Sequence, residues 1–151
     1  MIKVIAKATY DEIIANAKAA HPDIVPDGVE VQKMMDSGEE VIVGMIRDKQ
    51  FGPMIAFGMG GIYVNLIEDV SFNLAKGMSS EEIEEQIAST KVSKLLEGYR
   101  GEAPCDVEEV KEAIKRVARL TLDFPEISEL DINPIFVYEE GSSALDIKIK
   151  L

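Results

Sequence analysis

The chain has 151 residues, of which 46% are hydrophobic, so it is long and apolar enough to form one domain with a core. A net charge of -12 argues against a free-standing nucleic-acid binder and against binding to an anionic membrane surface. Cys105 is the single cysteine, so no internal disulfide can form, and no apolar run reaches the length of a signal peptide or a membrane span. These features predict a cytoplasmic protein.

The first third of the chain predicts one helix followed by extended segments. Thr9 and Glu12 have the spacing of a capping box, so a helix is expected to begin there, after a short mixed segment over residues 1–7. The helix should end near His21, because the residue before a proline avoids the helical conformation. Residues 29–34 are expected to form the first strand of the sheet.

The rest of the chain predicts paired strands, then helices, then a final hairpin. Strands are expected over 40–47 and 54–57, and the hairpin over 132–149. Two further capping boxes, Ser79 with Glu82 and Asp106 with Glu109, predict helices near 80–96 and over 106–122. Because strands come in adjacent pairs and do not alternate strictly with helices, the fold class is predicted to be α+β with a mainly antiparallel sheet.

The final hairpin carries oxygen donors that could hold a metal. Asn133 and Asp146 lie symmetrically about the Glu139-Glu140 turn, so they are expected to face each other across the two strands. An amide oxygen beside a carboxylate suits Mg²⁺, which takes one or two protein oxygens and keeps water and phosphate as its other ligands. The alternative is an exposed polar face without a metal, and the residue pattern alone leaves both open.

Three other segments could contribute to a nucleotide site, each with a simpler explanation. The glycine-rich run 57–61 could bring the backbone close to phosphates, or it could be a tight turn between strands. Residues 32–34 with Glu40 could hold a base and a ribose, although many surface strands have this pattern. Arg47 and Lys49 could supply positive charge near the glycines, or they could be solvated turn residues.

Two residues that often act in catalysis have no partners in the sequence pattern. His21 is the only histidine and lies at a predicted helix end, where an exposed capping role is more common than base catalysis. Cys105 has no accompanying histidine, so a catalytic thiol is not expected. No catalytic residue can be assigned from the sequence.

Several segments together resemble one family. They are VEVQKMMDSGEEVIVGMIRDKQFGPMIAFGMGGIYV, EDVSFNLA, YRGEAPCD and LDFPEISELDINPIFVYEEGSSALDIKI. From about Tyr10 to its end the chain resembles the nucleotide-binding β subunit of ADP-forming acetyl-CoA synthetases. These are nucleoside-diphosphate-forming acyl-CoA ligases with the ATP-grasp fold.

The resemblance implies that residues 1–151 are part of an ATP-grasp domain, its C-terminal subdomain, with the N-terminal jaw missing. It implies Mg²⁺-dependent phosphoryl transfer between ADP or ATP and a phosphohistidine on a partner, the CoA-binding α subunit. The residues that match family positions form four groups: Gln32, Lys33 and Met34 at adenine, Glu40 at the ribose, Arg47, Gly60 and Gly61 at phosphates, and Asn133 and Asp146 at magnesium.

The chain also departs from the family pattern. The family usually has glutamate where this chain has Asn65 and often has arginine where it has Asn73, and His21 does not match the phosphorylated histidine. A second interpretation is therefore a non-catalytic, truncated paralogue that acts as a subunit-interaction or weak nucleotide-binding module. In either case the chain alone is expected to lack acid–thiol ligase activity, and the exposed jaw face is expected to favour self-association.

Overall fold

The computed structural model describes residues 2–61 and 69–151. The chain forms two compact units, Met1–Asp36 and Ser37–Leu151. No helix among the described residues is long and apolar enough to cross a membrane.

The first unit contains one long helix, α1 (Ile2–Ala20), followed by extended chain. The predicted end near His21 is confirmed, but the predicted start at Thr9 is wrong. Ala6, Lys7 and Ala8 are strong helix formers, and Lys7 pairs with Asp11 one turn later at 2.7 Å, so the helix continues toward the N-terminus.

Residues 29–34 do not form the strand that the sequence predicted. The segment is extended, but none of the described residues pairs with it, and Val31 and Met34 are 91% and 92% exposed. A strand is defined by hydrogen bonds to a neighbour, so apolar alternation without a partner leaves only extended chain.

The second unit is built on a six-stranded antiparallel sheet in the order β3-β2-β1-β4-β5, with β6 also paired to β4. The sheet and its flanking helices confirm the predicted α+β class. Its strands are β1 (Glu39–Asp48), β2 (Gly52–Met59), β3 (Val70–Leu74), β4 (Glu129–Val137), β5 (Ser142–Ala144) and β6 (Ile147–Lys150).

Three helices follow β3: α2 (Ser80–Ala88), α3 (Ser93–Leu96) and α4 (Val107–Asp123). The predicted capping box at α2 is confirmed in full, because the Ser79 hydroxyl accepts the Glu82 N–H while the Glu82 carboxylate accepts the Ser79 N–H. At α4 the Asp106 carboxylate accepts the Glu109 N–H. Both helices therefore begin where side-chain oxygens satisfy amides that have no partner within the helix.

The sheet has one covered face and one open face, because side chains alternate along each strand. Val41, Val43 and Met45 of β1 are at most 1% exposed and pack in one core with the buried residues of α2 and α4. Ile46 points the other way and is 46% exposed. We call the sheet surface away from the helices the open face. From the alternation and the strand register it includes Glu40, Ile42, Gly44, Ile46, Met54, Val70, Phe72, Leu74 and Asp131.

The last hairpin keeps one register throughout, but its second strand is split. β5 pairs with the second half of β4 and β6 with the first half, and Leu145 and Asp146 lie between them. The split lies opposite Pro134, which has no N–H to donate to a ladder. The sequence predicted one continuous second strand, and the proline explains the difference.

Candidate functional site

Four of the predicted site residues meet at one end of the sheet. Glu40 is the second residue of β1 at this end, β2 ends here just before Gly60 and Gly61, and Asn133 lies on the neighbouring strand β4. The Gly60 N–H donates to the Glu40 carbonyl at 2.8 Å, and the Gly61 N–H donates to Asn133 Oδ1, also at 2.8 Å. The Asn133 side chain thereby ties the glycine turn to the last hairpin, across 72 residues of sequence.

Both glycines of the turn are required by close contact with β1. A Cβ on Gly60 would lie 2.6 Å from the Val41 carbonyl oxygen. Gly61 has a φ of 75°, in the left-handed region, and a Cβ there would overlap the Glu40 carboxylate. The turn therefore packs directly against the backbone of β1 and the acidic side chain of Glu40.

The glycine turn differs in one respect from the phosphate-binding geometry that glycines suggested. The N–H groups of both Gly60 and Gly61 donate to protein oxygens, so neither is directed at an empty anion site. What the two glycines provide here is space, because side chains are missing beside the Glu40 carboxylate. Their contact with a nucleotide stays a prediction.

The predicted register at the metal candidates is observed in the backbone. The Asn133 N–H donates to the Asp146 carbonyl at 3.1 Å, so the two residues are direct neighbours across the hairpin. Asn133 is half-buried and Asp146 is exposed, and the Asp146 carboxylate pairs with Lys148 at 2.9 Å. Their role as metal ligands stays a prediction.

The donor set at this hairpin fits magnesium that is shared with a phosphate ligand. Each of the two side chains keeps acceptor capacity, because the Asn133 oxygen has a second lone pair and the Asp146 carboxylate has a second oxygen. No group of three or more His, Cys, Asp or Glu side chains that could hold a metal occurs among the described residues. A metal held by two protein oxygens would therefore take its remaining ligands from water and substrate, which is usual for Mg²⁺.

A further carboxylate, Asp131, adds negative charge beside this pair. Asp131 lies on the open face, opposite Lys148 in the ladder. Partial burial raises the pKa of Asp131, the charges of Asp146 and Glu129 raise it further, and the Lys148 ammonium opposes the rise. Asp131 and Asp146 therefore make this part of the hairpin acidic, with the Lys148 ammonium beside both carboxylates.

Arg47 does not lie near the glycine turn, in contrast to the prediction. It lies at the opposite end of β1, where it is paired with Pro53, roughly 23 Å along the strand from Glu40 at 3.3 Å per residue. Its guanidinium donates to the carbonyls of Thr121 and Ile127, both at 2.9 Å, and to that of Phe124 at 3.4 Å. Arg47 thus satisfies carbonyls at the C-terminal end of α4 and in the loop that follows it, which leaves the predicted phosphate contact without structural support.

The other predicted residues lie in other parts of the chain. Gln32, Lys33 and Met34 are exposed in the first unit, and the Gln32 amide donates to Glu30 at 2.8 Å. Their predicted contact with adenine stays untested. Lys49 is an exposed turn residue, and the departure at Asn65 lies outside the described residues.

Asp69 is a structural residue near the site that the sequence analysis missed. It is 7% exposed, its carboxylate accepts the N–H groups of Lys91 and Val92 at 2.7 and 2.9 Å, and its carbonyl accepts the Met59 N–H at 3.0 Å. It therefore joins the end of β2 to the start of α3. Its sequence context gave no signal of burial, because Asp69 directly follows another acid, Glu68. A buried acid needs donors, and here they come from residues more than twenty positions away.

Cys105 borders a separate acidic cleft of about 870 Å³. Burial raises the pKa of its thiol, and the nearby carboxylates of Glu39, Glu102 and Glu139 raise it further. A thiol that resists ionisation is a poor nucleophile at neutral pH, which agrees with the expectation that Cys105 is not catalytic.

Comparison with known proteins shows which family the chain matches and which relatives it resembles. A family model described as an ATP-grasp domain matches residues 4–151. The chain is 44% identical over 146 residues to the β subunit of acetate–CoA ligase (ADP-forming) I of Pyrococcus furiosus, with 97% of this chain and 62% of the relative covered. It is 45% identical over 142 residues to acetate–CoA ligase (ADP-forming) I of Archaeoglobus fulgidus, with 94% of this chain and 21% of the relative covered.

Solved structures show the same fold. Dinucleotide-forming acetyl-coenzyme A synthetase 1 of Ca. Korarchaeum cryptofilum, in complex with coenzyme A, acetyl-coenzyme A and a phosphorylated phosphohistidine segment, superposes with a TM-score of 0.86 at 40% identity. That match covers 95% of this chain and 63% of the other. The same enzyme with Mg-AMPPCP, its phosphohistidine segment pointing towards the nucleotide binding site, superposes with a TM-score of 0.75 at 41% identity, covering 78% of this chain and 55% of the other. The chain therefore spans less than two thirds of the length of these relatives.

Proposed function

Because the chain belongs to the ATP-grasp domain family, we propose that it is the nucleotide-binding part of an ADP-forming acyl-CoA synthetase, such as an acetyl-CoA synthetase. The observation that carries the proposal is the meeting of Glu40, the Gly60-Gly61 turn and Asn133 at one end of the sheet, with Asp146 across the hairpin. These residues lie far apart in sequence, and they are the ones that the family resemblance assigned to ribose, phosphates and magnesium.

Each residue of the cluster has a distinct part in this proposal. The Glu40 carboxylate accepts hydrogen bonds from ribose hydroxyls, and the glycine turn leaves space for the nucleotide beside it. Asn133 and Asp146 would hold Mg²⁺ through their oxygens. Magnesium, when bound, neutralises charge on the phosphates during transfer. Residues 32–34 are proposed to line adenine.

The reaction of the whole assembly is also a proposal. We infer phosphoryl transfer between ADP or ATP and a phosphohistidine of the partner, a CoA-binding α subunit. It is supported by the similarity to the Ca. Korarchaeum cryptofilum enzyme, whose phosphohistidine segment points towards its nucleotide binding site in one complex. The two relatives are acetate–CoA ligases (ADP-forming), one a separate β subunit and the other a longer chain, and this chain corresponds to a part of each.

A titration of the 151-residue chain with nucleotide, monitored by amide NMR, tests the nucleotide site. Mg-ADP added to the millimolar range is expected to shift the amide signals of Gly60, Gly61 and Asn133, because this method detects weak binding residue by residue. Without magnesium the shifts at the hairpin should become smaller. No shifts at these amides at millimolar Mg-ADP would overturn the proposal.

Two substitutions and a matched control sharpen the test. Glu40→Gln and Asp146→Asn each remove one charge from the cluster and are expected to weaken Mg-ADP binding about tenfold, equivalent to roughly 1.4 kcal/mol. Glu126→Gln removes an exposed charge from the loop before β4 and is expected to leave binding unchanged. Equal affinity in all four proteins would contradict the assignment.

A further inference from the structure

The strand β3 forms one edge of the sheet among the described residues. The strand order places β3 at one end, beside β2 only, while β5 and β6 form the other end. An edge strand presents backbone donors and acceptors that can pair with another chain. The residues on each edge strand of this sheet therefore indicate whether that edge avoids pairing with another chain.

The hydrogen-bond pattern identifies the groups on the outer side of β3. The Ala75 N–H donates to the Pro53 carbonyl at 2.9 Å, and the Met59 N–H to the Asp69 carbonyl at 3.0 Å, so odd-numbered residues bond to β2. In an antiparallel ladder the alternate residues then direct their N–H and C=O groups outward. These are Val70, Phe72 and Leu74, of which the Leu74 N–H is already bound by the Asn73 side chain at 2.8 Å.

The side chains of β3 include none of the charges or prolines that often protect an edge strand. The strand reads VSFNL, without a charged residue or a proline, and Phe72 and Leu74 are 51% and 42% exposed on the open face. The other edge is protected, because β6 reads IKIK and places Lys148 and Lys150 at alternate positions. Lysine on an edge strand commonly prevents pairing, so the β6 edge is protected by charge and the β3 edge is not.

We propose that β3 pairs antiparallel with β3 of a second copy of this chain, about a two-fold axis at Phe72. In this register Phe72 faces Phe72 of the second copy and Val70 faces Leu74. Every outward backbone group then meets a partner except the Leu74 N–H, which the Asn73 side chain binds, and the Val70 carbonyl opposite it. An apolar row continues across both open faces. The contact is isologous and closes as a dimer. Two copies with a net charge of -12 each repel one another overall. Pairing through β3 adds no local repulsion, because this strand has no charged residue.

The size of the contact predicts a weak, reversible dimer. A half-exposed phenylalanine offers on the order of 100 Å², given 150–250 Å² for a whole aromatic side chain. With Val70, Leu74 and five residues of backbone, the contact stays well below the roughly 800 Å² per partner of a stable complex. Dimer formation should therefore depend on protein concentration. The proposal concerns a surface outside the Glu40 cluster and does not depend on nucleotide binding.

Sedimentation velocity over a range of protein concentrations, combined with amide hydrogen exchange, tests this pairing. The sedimentation coefficient is expected to rise with concentration, and the Phe72 amide, which points outward in the monomer, is expected to gain protection in step. Phe72→Lys should weaken association about tenfold or more, since it removes both aromatic side chains and places two like charges opposite each other.

Ile46→Lys is the matched control, because Ile46 is similarly exposed on the same open face but lies on the interior strand β1. It should leave the dimer intact, and circular dichroism should show both variants folded. The proposal is overturned by a monomer at all concentrations, by a dimer that Ile46→Lys disrupts and Phe72→Lys does not, or by Phe72 protection that is independent of concentration. Pairing of β3 with a different protein while this chain stays monomeric would also overturn it.

Discussion

Gly61 occupies a position where both its backbone angle and its surroundings exclude other residues. We predict that Gly61→Ala lowers the free energy of unfolding by about 1–3 kcal/mol, through strain at positive φ and the overlap of its Cβ with the Glu40 carboxylate. It should also weaken Mg-ADP binding, because Glu40 must move. Chemical denaturation and calorimetric titration measure the two effects.

Gly77→Ala provides the control for Gly61→Ala. Gly77 has nearly the same φ, 79°, but a Cβ there would meet nothing within 4 Å. It should therefore carry the backbone strain alone and leave nucleotide binding unchanged. If both variants lose the same stability and both keep full affinity, contact with Glu40 is not what requires glycine at position 61.

Glu39 is a second residue whose environment predicts a measurable effect, this time on pH dependence. Burial, together with the charges of Glu102 and Glu40, raises the pKa of Glu39 from its ordinary value near 4.5. The folded state then binds this proton more tightly than the unfolded state, so the Glu39 contribution to stability falls as pH rises above about 4.5. Glu39→Gln should raise the melting temperature by a few degrees at pH 7 and by less near pH 4.

The comparison for Glu39→Gln is Glu126→Gln, an exposed acid in the loop before β4. Thermal unfolding followed by circular dichroism at several pH values gives the differences directly. A gain in stability that is the same at every pH, or the same in both variants, would show that the raised pKa of Glu39 is not its source.

At the scale of secondary-structure elements, Arg47 joins the end of β1 to the end of α4. Arg47→Met keeps the aliphatic stem but removes the donors to the carbonyls of Thr121, Phe124 and Ile127. We expect a loss of roughly 1.5–3 kcal/mol in unfolding free energy, as for hydrogen bonds to a charged group, with Mg-ADP affinity unchanged.

Arg119→Met is the control for this element, since Arg119 pairs with Asp123 on the exposed surface of the same helix and should contribute little. Denaturant unfolding and nucleotide titration are measured on both proteins. Loss of nucleotide affinity in Arg47→Met without loss of stability would restore the phosphate role that the family resemblance suggested.

At the scale of the whole molecule, we predict that the 151-residue chain alone does not form ATP from acyl-CoA, ADP and phosphate. Phosphoryl transfer depends on several preorganised positive groups, and losing one such donor typically costs on the order of 10²–10³ in rate. Among the described residues, Lys148 contacts the cluster, while the guanidinium of Arg47 is bound at the other end of the sheet. A coupled assay for ATP measures this, with nucleotide binding by the same preparation as the control for folding. Acyl-CoA-dependent ATP formation by the chain without a partner would contradict it.

The sequence by itself determined the local structure of the second unit. The alternation of Val41 and Val43 with Glu40 and Ile42 defined β1, and capping residues marked the starts of α2 and α4. The symmetry of the last hairpin gave its register. These features follow from interactions between residues that are close in sequence or lie across one turn. They can therefore be predicted from one sequence.

Only the tertiary structure decided the long-range features. Residues 29–34 could form a strand only with a partner for their backbone. The hydrogen-bond acceptors of Arg47 depended on where α4 ended. The contact between Gly61 and Asn133 required β1, β2 and β4 to be assembled first. Several groups that are distant in sequence could be the neighbour of a given side chain, and only the packing of the elements decides which one is. For that reason the residue pattern identified the members of the candidate site but not which of them are in contact.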